Sequence, residues 1–402
     1  MITAAIICEY NPFHNGHLYQ INQIKKELNA DFIIAIMSGN FVQRGTPAFC
    51  DKFSRATSAL ECGIDLIFEL PVRYSTSSAE YFSYGAVSIL NALNSIDYLV
   101  FGTESGDLHL LDQYADLFYE EPVKYQKLLK KFLKEGLSYP AAREAAATQI
   151  LHSDSTILLS TPNNILAIEY LKALKKCHSN IRPYTVKRSD SGYHHTNLES
   201  SISSATSIRN HMNTYGFDKA LSHTVPAPTG AILKEQFLKS FPVTMDDFSD
   251  IIFYRLLTES HPETYLDYHS EIWDRIMRFM KQTASVEELI LLVKAKNFTY
   301  SRISRFLLHL MLNIKKHSDF SLPAYAKLLG FRKDASSLLK HIKTASSIPV
   351  IQKTSQYQSI LDEAQTILFE EDLKAASIYN YAVQKKFSTI LPEDGKYPLL
   401  IV

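Results

Sequence analysis

Residues 2–104 alternate short apolar runs with segments of helical period, and few folds accept that order. The runs at 2–8, 31–37, 65–70 and 98–102 are rich in β-branched or aromatic residues and stop at Gly, Pro or polar residues. Between them, 17–28, 51–62 and 77–93 carry apolar residues at helical spacing. Continuous apolar strands separated by amphipathic helices are βαβ units, whose parallel sheet is covered on both faces. The expected fold class is therefore α/β, an N-terminal doubly wound parallel sheet of Rossmann-like type. Ligands in such sheets bind beyond the carboxyl ends of the strands. Here those ends carry residues 11–17, Ser38-Gly39-Asn40, residues 69–73 and Phe101-Gly102-Thr103-Glu104, all polar or Gly-rich.

The first of these junctions is the most informative. A buried strand runs to Cys8, a turn is built on Asn11-Pro12, and His14-Asn15-Gly16-His17 opens a helix. A helix N-terminus leaves N–H groups without partners, all aimed at one point, which suits a phosphate. Two histidines three apart add donors on the same side, and Gly16 lets a ligand approach the backbone. A nucleoside triphosphate site at the start of the chain is expected.

Downstream, 108–152 reads as helical, Asn163 and Asn164 start a helix after Pro162, and 182–188 reads as a further strand. Residues 189–199 form a polar loop with Asp190, His194 and His195. A run of hydroxyl residues, 201–207, then leads into a helix carrying Arg209. Residues 221–230 turn to Pro, Thr and Ala and read as a linker. Beyond them the pattern is almost entirely helical, at 250–258, 271–282, 285–295, 301–314, 324–329 and 336–342.

A chain of 402 residues exceeds one ordinary core. The division expected is a nucleotide-binding catalytic domain at 1–225 and an α-helical domain at 226–402. Lys plus Arg equals Asp plus Glu at 42 each, so no global field attracts nucleic acid and any basic surface must be local. The four cysteines are scattered without a CxxC pair, which argues for a reduced, cytoplasmic protein without structural zinc. Met1 enters strand-like sequence directly, with no signal-peptide pattern, and no apolar run approaches a membrane span.

HxGH directly after an N-terminal strand, with Ile202-Ser203-Ser204 and Ile208-Arg209 far downstream, resembles the nucleotidylyltransferase superfamily. More specifically, several motifs together resemble the bacterial tRNA(Met) cytidine acetate ligases. They are Cys8-Glu9-Tyr10-Asn11-Pro12-Phe13-His14-Asn15-Gly16-His17, the Ser38-Gly39-Asn40 loop through Ala48, Asp51-Lys52, Phe101-Gly102-Thr103-Glu104, Pro162-Asn163-Asn164 and residues 296–305. The likeness spans most of the chain. It implies that acetate and ATP give acetyl-adenylate and pyrophosphate, and that the acetyl group passes to N4 of the wobble cytidine of elongator tRNA(Met). It also implies that His14 and His17 stabilise the α-phosphate and the leaving pyrophosphate, while Ser203, Ser204, Thr206 and Arg209 hold the β- and γ-phosphates. By the same likeness ATP contacts fall on Ile7, Cys8, Glu9, Tyr10, Asn11, Pro12, Phe13, His14, Asn15, Gly16, His17, Leu18, Tyr19 and Gln20, and on Gly102, Arg188 and either Asn163 or Asn164.

The residue types suit such chemistry, because a carboxylate attacking an α-phosphate needs positioning and charge stabilisation more than covalent help. Mg²⁺ is expected with the ATP phosphates and not in a protein cage, since no ligand cluster has metal spacing. Gln43, Arg44, Asp51 and Lys52 are candidates to hold the acyl substrate or the tRNA end, although Asp51 also suits a helix N-cap. Ser77 with Glu80 fits a capping box, Gly102 fits close approach to a base or ribose, and Glu104 reads as a solvated charge. Residues 281–343 hold twelve Lys or Arg against four acids. Lys294, Lys296, Arg302, Arg305, Arg332 and Lys333, interleaved with Phe298, Tyr300 and Phe331, are the expected tRNA contacts. Two other functions fit parts of this pattern. A small-molecule adenylyltransferase of cofactor synthesis would not need the basic helical region, and a non-catalytic ATP-gated RNA-binding factor would not need His14, His17 and Arg209 all intact.

Overall fold

A computed structural model of the chain describes residues 1–152, 159, 161–188, 203–316 and 325–402. Its centre is an eight-stranded sheet. The strands are β1 (Thr3–Cys8), β2 (Phe32–Ser38), β5 (Leu66–Leu70), β6 (Tyr98–Thr103), β7 (Arg182–Lys187), β8 (Ala326–Phe331), β9 (Val350–Ile351) and β10 (Leu400–Ile401). A separate two-stranded hairpin, β3 (Phe41–Val42) and β4 (Thr46–Pro47), follows β2. The sheet order is β10-β8-β5-β2-β1-β6-β7, with β9 beside β8. All pairings are parallel except β5 with β8. The order reverses direction between β1 and β6, so the crevice at their carboxyl ends is where a ligand fits.

The helices of the first part are α1 (Asn15–Leu28), α2 (Lys52–Glu61), α3 (Val72–Ser75), α4 (Ala79–Ala92), α5 (Leu108–Glu120), α6 (Val123–Lys134), α7 (Tyr139–Leu151), α8 (Pro162–Lys176), α9 (Ala205–Tyr215), α10 (Lys219–Ser222) and α11 (Ala227–Gln236). Alternation along β1 sends Ala4, Ile6 and Cys8 to one face, against Ile21 and Ile24 of α1 and Ala56, Ala59 and Leu60 of α2. Ala5 faces the other side, with Leu90 of α4, Leu111 of α5 and Ala167 of α8. This is the doubly wound arrangement that the alternating runs imply. Ser77 does not cap α4. Ser78 occupies the cap position, and the Ser77 hydroxyl instead donates to the Arg73 carbonyl (2.6 Å).

The remaining helices are α12 (Ser249–Thr258), α13 (Ser270–Phe279), α14 (Val286–Val293), α15 (Tyr300–Leu312), α16 (Ser336–Ala345), α17 (Tyr357–Ile360) and α18 (Glu363–Phe387). α12 to α15 and α18 share an apolar core that includes Ile252, Ile276, Leu289, Phe306 and Tyr379. Two expectations are corrected here. The helix expected at 324–329 is absent from its described residues: Ala326–Phe331 forms β8 and pairs antiparallel with β5. Residues 221–230 are not a free linker, because Leu221, Val225 and Leu233 are buried against Phe49, Ile208 and Phe241. The stretch 226–402 thus holds a helical core and also returns strands to the sheet.

Buried polar contacts knit the two parts together. Lys52 bridges Glu69 (2.8 Å) and Asp394 (2.9 Å), and Lys327 of β8 bridges the same two carboxylates (2.8 and 2.5 Å). Arg73 pairs with Glu371 of α18 (2.5 Å). The β3–β4 hairpin enters the helical core through Phe41, and Ser304 of α15 donates to the Gly45 carbonyl (2.7 Å). Gly45 sits at φ +77°, where a Cβ would come 2.4 Å from the Arg305 backbone nitrogen, so glycine is needed there.

Candidate active site

The junction of β1 and α1 is closed by its own histidines. His14 is the N-cap of α1; its Nδ1 accepts from the Gly16 N–H (3.1 Å), and His17 Nδ1 accepts from the His14 N–H (3.2 Å). Each Nδ1 is therefore an acceptor, and the proton of each neutral ring lies on Nε2. The two rings stack with centroids 3.7 Å apart, and His17 also meets the edge of Tyr10 (4.8 Å). Burial, reinforced by Arg188 and Arg209, pushes His14 down to about 3. Burial, His14 and Arg188 hold His17 well below the usual histidine range. Both rings are thus neutral N–H donors at neutral pH, fixed by the backbone of the helix start.

Two arginines reach the same junction. Arg209 Nη1 donates to the Asn11 carbonyl (2.7 Å), and its Nη2 donates to the Thr206 hydroxyl (3.1 Å). Burial lowers the Arg209 pKa, Glu9 opposes that and Arg44 adds to it, so these charges lie within electrostatic reach of one another. Arg188 follows β7, its N–H donating to the Thr103 carbonyl (3.0 Å). Its aliphatic stem crosses Gly102, where a Cβ would lie 3.3 Å from Arg188 Cγ. Gly102 therefore makes room for Arg188. Ser204 caps α9, its Oγ accepting from the Ser207 N–H (3.1 Å). Ser203 is buried just before it. A second helix N-terminus thus opens beside the first. Asn15 ties the two regions, its side chain donating to the His223 carbonyl (2.8 Å) and its N–H to the Thr224 carbonyl (3.0 Å).

Within 7–20, only part of the run faces the mouth. Cys8, Tyr10 and Phe13 are buried in the apolar core under α1, with Leu18 packed against it, so they build the wall. Asn11 accepts from the Phe49 N–H (2.7 Å) as well as from Arg209, through different oxygens. Tyr19 is exposed on α1 beside Gln20. Asp190, His194, His195 and the start of the serine run lie outside the described residues.

The hairpin residues divide. The Gln43 N–H donates to Glu9 Oε1 (2.9 Å) and its side chain donates to the Ser77 carbonyl (3.1 Å), which holds the hairpin beside the mouth and Arg44 near Arg209. Asp51 and Lys52 do not belong to that group. Asp51 caps α2 through the Phe53 and Ser54 N–H groups (2.9 and 3.1 Å), and Lys52 is 1% exposed between two carboxylates. A cavity of about 320 Å³ beside them, lined by Asn40, Lys52, Gln236, Asn380 and Tyr397, includes none of His14, His17, Arg188 or Arg209.

Asn163 and Asn164 also separate. Asn164 is 1% exposed, and its Oδ1 accepts from the Glu104 N–H (3.1 Å). Glu104 in turn accepts from the Asn164 N–H (3.1 Å) and from the Asn163 side-chain amide (2.6 Å). Glu104 is not a solvated charge; it locks the start of α8 to the end of β6. Arg55 belongs to none of the sequence motifs, yet it holds this end of the sheet together. Fully buried, it donates to the carbonyls of Cys50 (3.1 Å), Glu9 (2.5 Å), Ser38 (3.1 Å) and Gly39 and so fastens the carboxyl ends of β1 and β2. The signal was present: Ala56, Ala59 and Leu60 define the buried face of α2, and residues 52 and 55 fall on it.

The basic run is less free than its composition implies. Arg305 pairs with Asp267 (2.7 Å), Arg332 pairs with Asp334 (3.1 Å), and Lys327 is internal. Lys294, Lys296 and Lys333 are exposed, and Arg302 lies over the Phe298 ring.

The whole assembly matches known proteins. A family model described as HIGH Nucleotidyl Transferase covers residues 1–392. A Thermoanaerobacter protein named tRNA(Met) cytidine acetate ligase is 44% identical over 399 residues, 98% of each chain. The chain belongs to the tRNA(Met) cytidine acetate ligase family. The relative of that name from Acetivibrio thermocellus is 39% identical over 94% of each chain. Thermotoga maritima TmcAL bound with alpha-thio ATP superposes with a TM-score of 0.91 at 31% identity, each chain covered completely, and its apo form with 0.94. Members of this ligase family are thus similar to the chain along its whole length, β8 and β10 included.

Proposed function

We propose that this protein is an ATP-dependent acetate ligase that acetylates N4 of the wobble cytidine in elongator tRNA(Met). The observation that carries the reading is the pair of neutral, backbone-fixed histidines at the N-terminus of α1, with Arg209 bound to the same loop and Arg188 within its field. An acetate oxygen attacks the α-phosphorus, the bond to the bridging oxygen breaks, and pyrophosphate leaves. Nε2–H of His14 and His17 meets the oxygens on which negative charge builds, and Arg209 with the start of α9 takes the β- and γ-phosphates. N4 of cytidine then attacks the acetyl carbon, loses a proton and releases AMP. The donors at this mouth are N–H groups and guanidiniums, which take anionic oxygens, so Mg²⁺ is carried by the triphosphate. The exposed Lys294, Lys296 and Lys333, with the half-buried Arg302, are proposed tRNA contacts within 226–402. Gln43 and Arg44 are proposed to face the acyl or tRNA end.

Of the two asparagines, Asn163 is the ATP contact in this reading, because Asn164 is spent on the backbone. Glu104 holds the Asn163 NH₂, so its carbonyl is the free end, and a carbonyl accepts from a donor on the nucleoside, not from a phosphate. Removing the carboxylate in Glu104→Ala frees that amide to turn. The expected result is a KM for ATP raised roughly 10-fold, about the worth of one charge-assisted hydrogen bond, with kcat little changed. Steady-state kinetics at varied ATP checks this.

The test of the first half-reaction is ATP–pyrophosphate exchange with the purified protein. Exchange that requires acetate supports the ligase; exchange that ignores acetate and needs a phosphorylated cofactor precursor would overturn it.

A further inference from the structure

We infer that α6 is a second tRNA-docking surface, a lysine stripe that binds the phosphate backbone from the nucleotide-binding half of the molecule. The inference rests on the tRNA reading above. The helix Val123–Lys134 carries five lysines, Lys124, Lys127, Lys130, Lys131 and Lys134, and no acid. At 3.6 residues per turn they fall within an arc of about 120°, along roughly 15 Å of helix. All five are exposed. Among the described residues, only Lys131 has an ion pair, a long one to Glu135 (3.9 Å). On α8, by contrast, Lys172 and Lys175 are paired with acids, and Lys52 of α2 is internal. In a chain whose charges balance at 42 against 42, such a row is a local field, flanked by Glu120, Glu121 and Glu135 only at the helix ends.

The opposite face of α6 is already occupied. Tyr125 is buried in the main core, and Leu128, Leu129 and Phe132 pack against it. Only Val123 and Leu133 remain as exposed apolar side chains on this helix, too little to seat it in a bilayer. A basic row with no apolar face to spare fits a polyanion whose contacts are phosphates. Its place in the chain fits as well. The α5–α7 excursion leaves from the end of β6 at Glu104 and returns at Asn163 and Asn164, which bond to that same Glu104. The stripe therefore belongs to a segment anchored at both ends on the nucleotide site.

The test is the variant K127Q/K131Q/K134Q, measured for tRNA(Met) affinity between about 50 and about 200 mM salt. Three lost phosphate contacts should lower the log–log salt slope by about 2 and weaken binding roughly 10- to 50-fold near physiological salt. Acetate-dependent pyrophosphate exchange should stay at the wild-type rate, which also shows that the variant is folded. Unchanged affinity and slope overturn the inference, as does a loss seen only with anionic phospholipid vesicles. If the wild type itself fails to bind or acetylate tRNA, the functional reading falls first and this inference with it.

Discussion

Replacing His17 with Ala should cut acetate-dependent ATP–pyrophosphate exchange by about 10²–10³-fold, the usual cost of losing one preorganised donor to transition-state charge. The Nε2–H of this ring is held by two constraints: its Nδ1 accepts from the His14 backbone, and its ring stacks on His14. Alanine removes the donor and leaves the His14 N–H without its partner. His14→Ala should behave similarly, since its Nδ1 accepts from the Gly16 N–H. The two losses should not add fully, because the rings support each other. The pH dependence is a second readout. Burial holds both free-enzyme histidines below their ordinary range, His14 to about 3, so neither changes charge near neutrality. The profile of kcat/KM for ATP should therefore show no histidine-type break between about pH 6 and about 7.5. A break there that disappears in His17→Ala would show that the ring acts in its charged form.

Lys52→Met should lower the free energy of unfolding by about 3–5 kcal/mol, the cost of breaking a buried ion cluster by removing one partner. Glu69 and Asp394 are nearly unexposed and would each lose one of two lysines. The variant should lower the urea midpoint, and because Lys327 comes from β8 the loss should extend to the helical half. Burial alone would press Lys327 down, but Asp394 and Glu69 outweigh it and hold the ammonium above the usual lysine range. For Asp394, burial would raise the carboxyl, and Lys327 and Lys52 hold it below the usual range. A carboxylate with a depressed folded pKa stabilises fully above its unfolded value, about 3.9, and loses that contribution as pH falls towards the folded one. Wild type and Lys52→Met should therefore differ most at neutral pH and converge in acid. A change below about 1 kcal/mol would mean that the cluster contributes no more than a surface pair.

Much of the nucleotide half was legible because its strands are buried on both faces and its helices on one. Residues 2–8, 31–37, 65–70 and 98–102 all became strands within a residue or two. The His14–His17 turn was legible for a related reason: local chemistry alone makes it a helix start. β8 was not. Ala326-Lys327-Leu328-Leu329 consists of good helix formers, and its extended state comes from pairing with β5, a contact no local pattern announces. Lys52 misled in the same way, since its partners Glu69 and Asp394 meet it only in the folded chain. The composition of 281–343 overstates its free charge because Asp267, which neutralises Arg305, lies outside that stretch. Glu104 reads as a solvated charge in the sequence because its two asparagine partners follow only after α5, α6 and α7.

The most direct measurement is mass spectrometry of elongator tRNA(Met) after incubation with the purified protein, ATP, Mg²⁺ and acetate. Acetate ligation predicts one acetyl increment on a single cytidine, dependent on both ATP and acetate and lost in His17→Ala. Unmodified tRNA, recovered from a protein that binds both ATP and tRNA, would contradict it.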